Sequence, residues 1–161
     1  MGPVRIETSR FGSMNIDQEK IISFPFGLPG FEELKHFVLL PAVNMEPFHW
    51  MQSAEEPEVA FLAVNPFIFF PDYSFDLPVE DIETLELRSP GEVLILTIIT
   101  IPGDNIAQTT ANLLGPVVIN TRLNRAKQVI LTGYTYSTRH RLFVKTDKDS
   151  HSIQGKEEEK C

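Results

Sequence analysis

The 161-residue chain has a single cysteine, Cys161, at its last position. No intrachain disulfide can form, and no cysteine pair is present for zinc or redox work; this fits a reducing compartment. Long apolar runs are also missing. The longest, residues 93–101, is interrupted by Thr97 and Thr100 and falls well short of the roughly 20 residues of a spanning helix. The first residues, Met1-Gly2-Pro3-Val4-Arg5-Ile6-Glu7, lack the basic-then-apolar pattern of a secretory leader. A cytoplasmic protein with no membrane contact is expected. No glycine-rich phosphate loop, Gly-x-Ser-x-Gly elbow or nucleophile–base pair occurs. His36, His49, His140 and His151 have no metal-ligand spacing. Glu32-Glu33 and Glu55-Glu56 sit beside turn signals, where paired carboxylates are a solvated face rather than acid–base machinery. No enzyme, cofactor or metal is expected.

One charge sign is scarce in each half of the molecule. Residues 46–104 hold twelve carboxylates and one cation, Arg88, whereas residues 105–146 hold six cations and no carboxylate. An acidic surface and a separate basic surface are expected, suited to steering partners rather than to chemistry. The net charge of −8 argues against general nucleic-acid binding, because phosphate contacts are built mostly from Lys and Arg.

What is abundant is short apolar runs rich in Val, Ile and Phe, closed by Pro, Gly or Asn. That pattern reads as strands at residues 4–8, 20–24, 36–41, 48–52, 59–64, 93–101, 117–120 and 128–131. The β-branched stretch 93–101 reads as a central strand covered on both faces. The short spacing between strands favours an antiparallel β-barrel-like or sandwich-like all-β domain over βαβ units. Two short helices are expected. One is a single turn at 31–34. The other spans 78–87, with Pro78 near its start, Glu80 and Asp81 in its first turn, and Ser89-Pro90-Gly91 after it. One domain spans residues 1–144, and the polar stretch 145–161 reads as a disordered tail.

Three constellations remain as candidate contact surfaces. The first is Phe61 to Phe75, where Phe67, Ile68, Phe69 and Phe70 follow Pro66 without alternation. A half-buried strand covers only every second side chain, so at least one ring is expected at the surface. The competing reading packs all of them under the 78–87 helix. In the second, Asn112 and Asn120 bracket an apolar run broken by Gly115-Pro116, with turn chemistry the first reading and a polar recognition edge the second. The third is the basic, aromatic segment Tyr134 to Arg141. With Arg122, Arg125 and Lys127 it makes an alternative reading, a small RNA-binding barrel.

Several motifs in order resemble the flagellar assembly factor FliW family. They are Ile6-Glu7-Thr8-Ser9-Arg10-Phe11-Gly12, Ile22-Ser23-Phe24-Pro25-Phe26-Gly27-Leu28-Pro29-Gly30-Phe31-Glu32, and Phe48-His49-Trp50-Met51-Gln52-Ser53. Asn65-Pro66-Phe67 through Pro71-Asp72-Tyr73, Asn112 through Thr121, and Lys127-Gln128-Val129 complete the set. The resemblance spans residues 4–143 and implies a small β-barrel that is not an enzyme. It also implies two cytoplasmic partners: flagellin before export, and the RNA-binding translational repressor CsrA, which the factor antagonises when flagellin has left. For flagellin, composition rather than the family pattern points to Phe67, Phe69, Phe70 and Tyr73 as candidate walls of an apolar site for an amphipathic helix. Glu80, Asp81, Glu83 and Glu86 are candidates for an acidic face that attracts the repressor.

Overall fold

The computed structural model describes residues 2–143. The chain opens with an antiparallel hairpin of β1 (Pro3–Thr8) and β2 (Gly12–Asp17). Its turn is held by Thr8, whose hydroxyl donates to Gly12 O at 2.9 Å and accepts from Phe11 N at 2.8 Å. The strand β2 was not expected. Gly12-Ser13-Met14-Asn15-Ile16-Asp17 has few β-branched residues, and pairing with β1 supplies what intrinsic propensity does not.

The remaining strands are β3 (Ile22–Ser23), β4 (His36–Pro41), β5 (His49–Ser53), β6 (Ala60–Val64), β7 (Val93–Thr100), β8 (Thr110–Ala111), β9 (Val117–Asn120), β10 (Arg125–Gln128) and β11 (His140–Arg141). Seven of them close a barrel in the order β7-β6-β5-β4-β3-β10-β9, with β9 returning to β7. Neighbours in the ring are antiparallel except β3 and β10, which touch in parallel at Ser23 and Arg125. The pair β8–β11 extends the sheet beyond the C-terminal end of β7. The expected mainly antiparallel β-barrel is therefore the observed fold.

Alternation sorts side chains between the barrel interior and an outer layer. Phe37, Met51, Ala63, Leu96, Val117, Ile119 and Ala126 fill the interior with Phe24. Their neighbours Val38 and Leu40 point outward under the hairpin, against Ile6 and Ile16. The guanidinium of Arg10 caps this contact 3.8 Å over the Trp50 ring, a cation–π contact. A second outer cluster joins Leu62, Val64 and Ile99 to Tyr73, Leu113 and Leu142. A third joins Val118, Val129 and Leu131 to Leu85. β7 is covered on both faces from Leu96 to Ile99, whereas Val93 and Ile95 are only half-buried.

Local differences from the expected elements have identifiable causes. Residues 31–34 form a turn rather than a helix, closed by Leu34 N donating to Phe31 O at 3.1 Å. Gly27 makes the preceding bend possible: its φ is +64°, and a Cβ there would sit 2.6 Å from the Glu32 backbone. The second helix is shorter than expected, and an unexpected one precedes it. This earlier helix, α1 (Pro66–Phe69), starts where Asn65 accepts from Phe67 N at 2.9 Å and Pro66 occupies the first position. The later one is α2 (Val79–Thr84). The strand expected at 128–131 begins earlier, at Arg125. It looked polar because Arg125 and Lys127 are its outward residues. Pairing continues past its end, with Val129 N and Leu131 N donating to Pro116 O and Leu114 O, each at 2.9 Å. The tail 145–161 lies outside the described residues.

Candidate functional site

The outer face of β9 and β10 carries α2, and charges hold it there. Lys127 Nζ lies 2.5 Å from Asp81, Arg125 2.7 Å from Glu86, and Arg122 3.1 Å from Glu92. Arg122 also donates to Glu86 O at 2.7 Å. Asn120 is fully buried; its Nδ2 donates to Leu85 O at 2.7 Å, and its Oδ1 accepts from Arg122 N at 2.9 Å and Leu123 N at 3.1 Å. One side chain thus ends α2 and shapes the β9–β10 turn together.

This overturns the expected separation of acidic and basic surfaces. Arg122, Arg125 and Lys127 of the basic segment pair with Glu92, Glu86 and Asp81 of the acidic segment. Arg125 and Lys127 project from alternate positions of a strand whose outer face meets α2, so charges distant in sequence face each other. Of the four acidic candidates, Asp81 is buried and Glu86 is paired, while Glu80 and Glu83 stand exposed. On the basic side, Arg139 and Arg141 remain exposed, the latter donating to Ala107 O at 3.1 Å.

The Glu86 carboxyl is held below its ordinary range by the hydrogen bond from Arg125 and then by that residue's charge. Glu92 is lowered first by the Arg88 amide and, against some desolvation, by Arg122. A depressed folded-state value means the stabilisation is present above the unfolded value, about 4.3, and is lost as pH falls through the folded value. The thermal midpoint is therefore expected to drop as pH is lowered from about 5 toward 3, with a shallower slope in the E86Q/E92Q variant. A melting series against pH with both proteins checks this.

The aromatic segment divides. Phe67 and Ile68 are 40% and 53% exposed. Phe69 is half-buried, stacked on Phe48 with centroids 5.7 Å apart and meeting the Phe143 edge at 6.2 Å. Phe70 packs edge-on against His140 at 5.0 Å. The four side chains do not pack as a group under α2. Tyr73 is only 4% exposed, and its hydroxyl donates to Leu113 O at 2.7 Å. Burial pushes its phenol above the ordinary value, with Tyr136 and Tyr134 adding to the effect. Its ring belongs to the core rather than to an open wall. An apolar ring with one satisfied hydroxyl is better buried than exposed. Tyr136 and Tyr134 hold the following segment through Ser74 and the Asp76 amide.

Asn112 and Asn120 follow the turn reading. Asn112 Oδ1 accepts from Leu114 N at 3.2 Å and Gly115 N at 2.9 Å. Backbone groups occupy Asn112 Oδ1 and both polar atoms of Asn120.

Between these parts lies an apolar groove of about 570 Å³. Phe67, Phe75 and Leu77 contribute from the aromatic side, Ile82 and Leu87 from α2 and the residues after it. Val93 and Ile95 of β7 supply the floor. Asp76 and Arg88 are the charged lining residues, and no histidine or cysteine is among them. Among the described residues, no group of three or more His, Cys, Asp or Glu could hold a metal ion, and no helix is long and apolar enough to cross a membrane. Of the residues described at the groove, only Phe67 was among the candidate walls named from sequence. Arg88, the lone cation of the acidic stretch, and the outward alternation of Val93 and Ile95 were the signals that could have located the rest.

A family profile described as FliW protein matches residues 5–142, nearly all of the described chain. The chain belongs to the FliW family. It is 43% identical over 150 residues to the flagellar assembly factor FliW of Moorella thermoacetica, covering 93% of this chain and 95% of that one. To the FliW of Bacillus subtilis it is 42% identical over 135 residues, covering 84% and 94%. A crystal structure of the flagellar assembly factor FliW superposes with a TM-score of 0.80 at 39% identity, covering 86% of this chain and 96% of that one. The FliW fold and its order of motifs thus extend across the barrel, hairpin and outer helices alike.

Proposed function

We propose that this chain binds flagellin in the cytoplasm before export and, when free of it, binds and antagonises the translational repressor CsrA, so that flagellin mRNA is translated while flagellin is leaving the cell. The carrying observation is FliW family membership across the whole barrel. Its supporting feature is an apolar groove with no histidine or cysteine in its lining, a surface suited to protein contact rather than turnover. The groove is assigned to flagellin and the exposed Glu80 and Glu83 to the approach of the basic repressor. The RNA-binding alternative loses support, since three of its five cations are tied to carboxylates.

Titration calorimetry of the chain against purified CsrA, repeated with saturating flagellin, tests the reading. Binding that flagellin abolishes supports it; no binding to either protein sinks it. Reversing Glu80 and Glu83 together is expected to slow repressor association about three- to tenfold and to flatten its salt dependence, with dissociation little changed. Stopped-flow association rates at low and moderate salt check this. Asp81 and Glu86 are left intact, because their reversal would disturb the seat of α2.

A further inference from the structure

The floor of the groove is an open sheet edge. Residues 94 and 96 of β7 face β9, as the neighbouring bond from Thr121 N to Glu92 O and the register Leu94↔Ile119 and Leu96↔Val117 require. Residues 93 and 95 therefore direct their backbone groups to the opposite edge. There β6 pairs only with Thr97 and Ile98. Continuing that register would bring Pro66 opposite Ile95. Proline has no N–H to offer, and the chain turns away at that point into α1. Val93 N is taken by Pro90 O, closing the short turn before β7. No strand pairs with β7 at Val93–Ile95 on the β6 side, while the side chains of Val93 and Ile95 line the groove.

We propose that the groove receives an extended segment of its partner, which adds as a short strand to β7 at Val93–Ile95. An edge of this kind is completed by main-chain hydrogen bonds, with alternate side chains filling the pockets beside it. A helix, whose backbone groups are already paired internally, could not extend the sheet at this edge, so the missing strand neighbour favours a strand over the amphipathic helix expected from sequence. Phe67, Phe75 and Leu87 offer apolar contact to alternate residues of the incoming segment. Arg88 lines the groove and makes no salt bridge among the described residues. It calls for a carboxylate on the segment. The proposal rests on the flagellin reading, so the segment belongs to flagellin.

Amide hydrogen exchange of the full chain, alone and saturated with purified flagellin, tests it. Strand addition slows exchange at Ile95 at least about tenfold, while Leu94 and Leu96, already bonded to β9, change little. I95P, which removes the Ile95 donor together with its side chain, weakens flagellin binding about tenfold or more and leaves CsrA binding intact. R88E weakens flagellin binding, and one Asp or Glu to Lys substitution in flagellin restores it. A complex that forms with Ile95 exchange unchanged overturns strand addition while leaving the flagellin reading standing, and that result decides the matter if I95P does not fold. Unaltered affinity in R88E overturns the carboxylate pairing. Absence of any flagellin complex with the parent chain overturns both.

Discussion

Asn120→Ala is expected to lower stability by about 2–4 kcal/mol, an effect out of proportion to the atoms removed. The side chain is fully buried and bridges two elements distant in sequence. Its amide satisfies Leu85 O at the end of α2, and its oxygen satisfies the amides of Arg122 and Leu123. Alanine leaves these groups without partners in a site that water reaches poorly. Each unsatisfied buried group costs about 1–3 kcal/mol. For a domain of this size the loss corresponds to a melting midpoint lower by roughly 10 °C. Asn112→Ala is the comparison: that residue is half-buried, and water can replace part of its turn bonding, so a loss of about 1 kcal/mol is expected. Equal melting of the two variants would show that Asn120 does not fasten α2.

The second large effect belongs to the pair of Asp81 and Lys127. Their side chains are 8% and 21% exposed and 2.5 Å apart. Asp81→Ala strands an ammonium that is mostly out of water, and a loss of about 2–3 kcal/mol is expected, reduced from the fully buried case because Lys127 keeps some solvent contact. Glu86→Ala, at a pair whose carboxylate is 60% exposed, is expected to cost far less, because solvent screens the pair. The double variant D81L/K127M is expected to recover most of the stability, since an apolar pair of similar volume avoids the desolvation of two ions. Denaturant melts of the single and double variants measure the coupling. A double variant as unstable as Asp81→Ala would mean that packing, and not an unpaired charge, sets the cost.

Both effects bear on function through α2, which supplies Ile82 to the groove and carries the exposed Glu80 and Glu83. A loosened α2 would disturb the wall of one surface and the carrier of the other.

Much of the barrel was legible in the chain because its cues are local. The short apolar runs at residues 36–41 and 59–64, the β-branched run of β7 and the prolines at strand ends identify strands without knowledge of their neighbours. The elements that escaped were those that packing or pairing creates. The polar strand β2 exists because β1 lies beside it, and β10 looks polar because its outward cations meet α2. The helical turn α1 was signalled by Asn65-Pro66 yet hidden inside an aromatic run.

The candidate site was legible in part. Phe67 was one of the candidate walls of an apolar site and lines the groove, 40% exposed. Tyr73 was another candidate wall, but its hydroxyl reaches Leu113 and its ring packs in the core. Asn112 and Asn120 obey the turn chemistry that their type and position suggested.

By itself, the sequence determined that this is a mainly β protein of the FliW family, without a disulfide and without a recognisable catalytic constellation. Composition, periodicity and motif order are properties of the chain, and folding does not alter them. Tertiary structure alone decided that three cations of the basic segment pair with carboxylates of the acidic one, that Glu80 and Glu83 rather than Asp81 and Glu86 remain free of ion pairs, and that β7 has no strand partner on the β6 side at Val93–Ile95, beside an apolar groove. Those outcomes depend on which strand faces which helix and on where β6 departs from β7. That is a matter of register and approach in space, which no local stretch of sequence encodes.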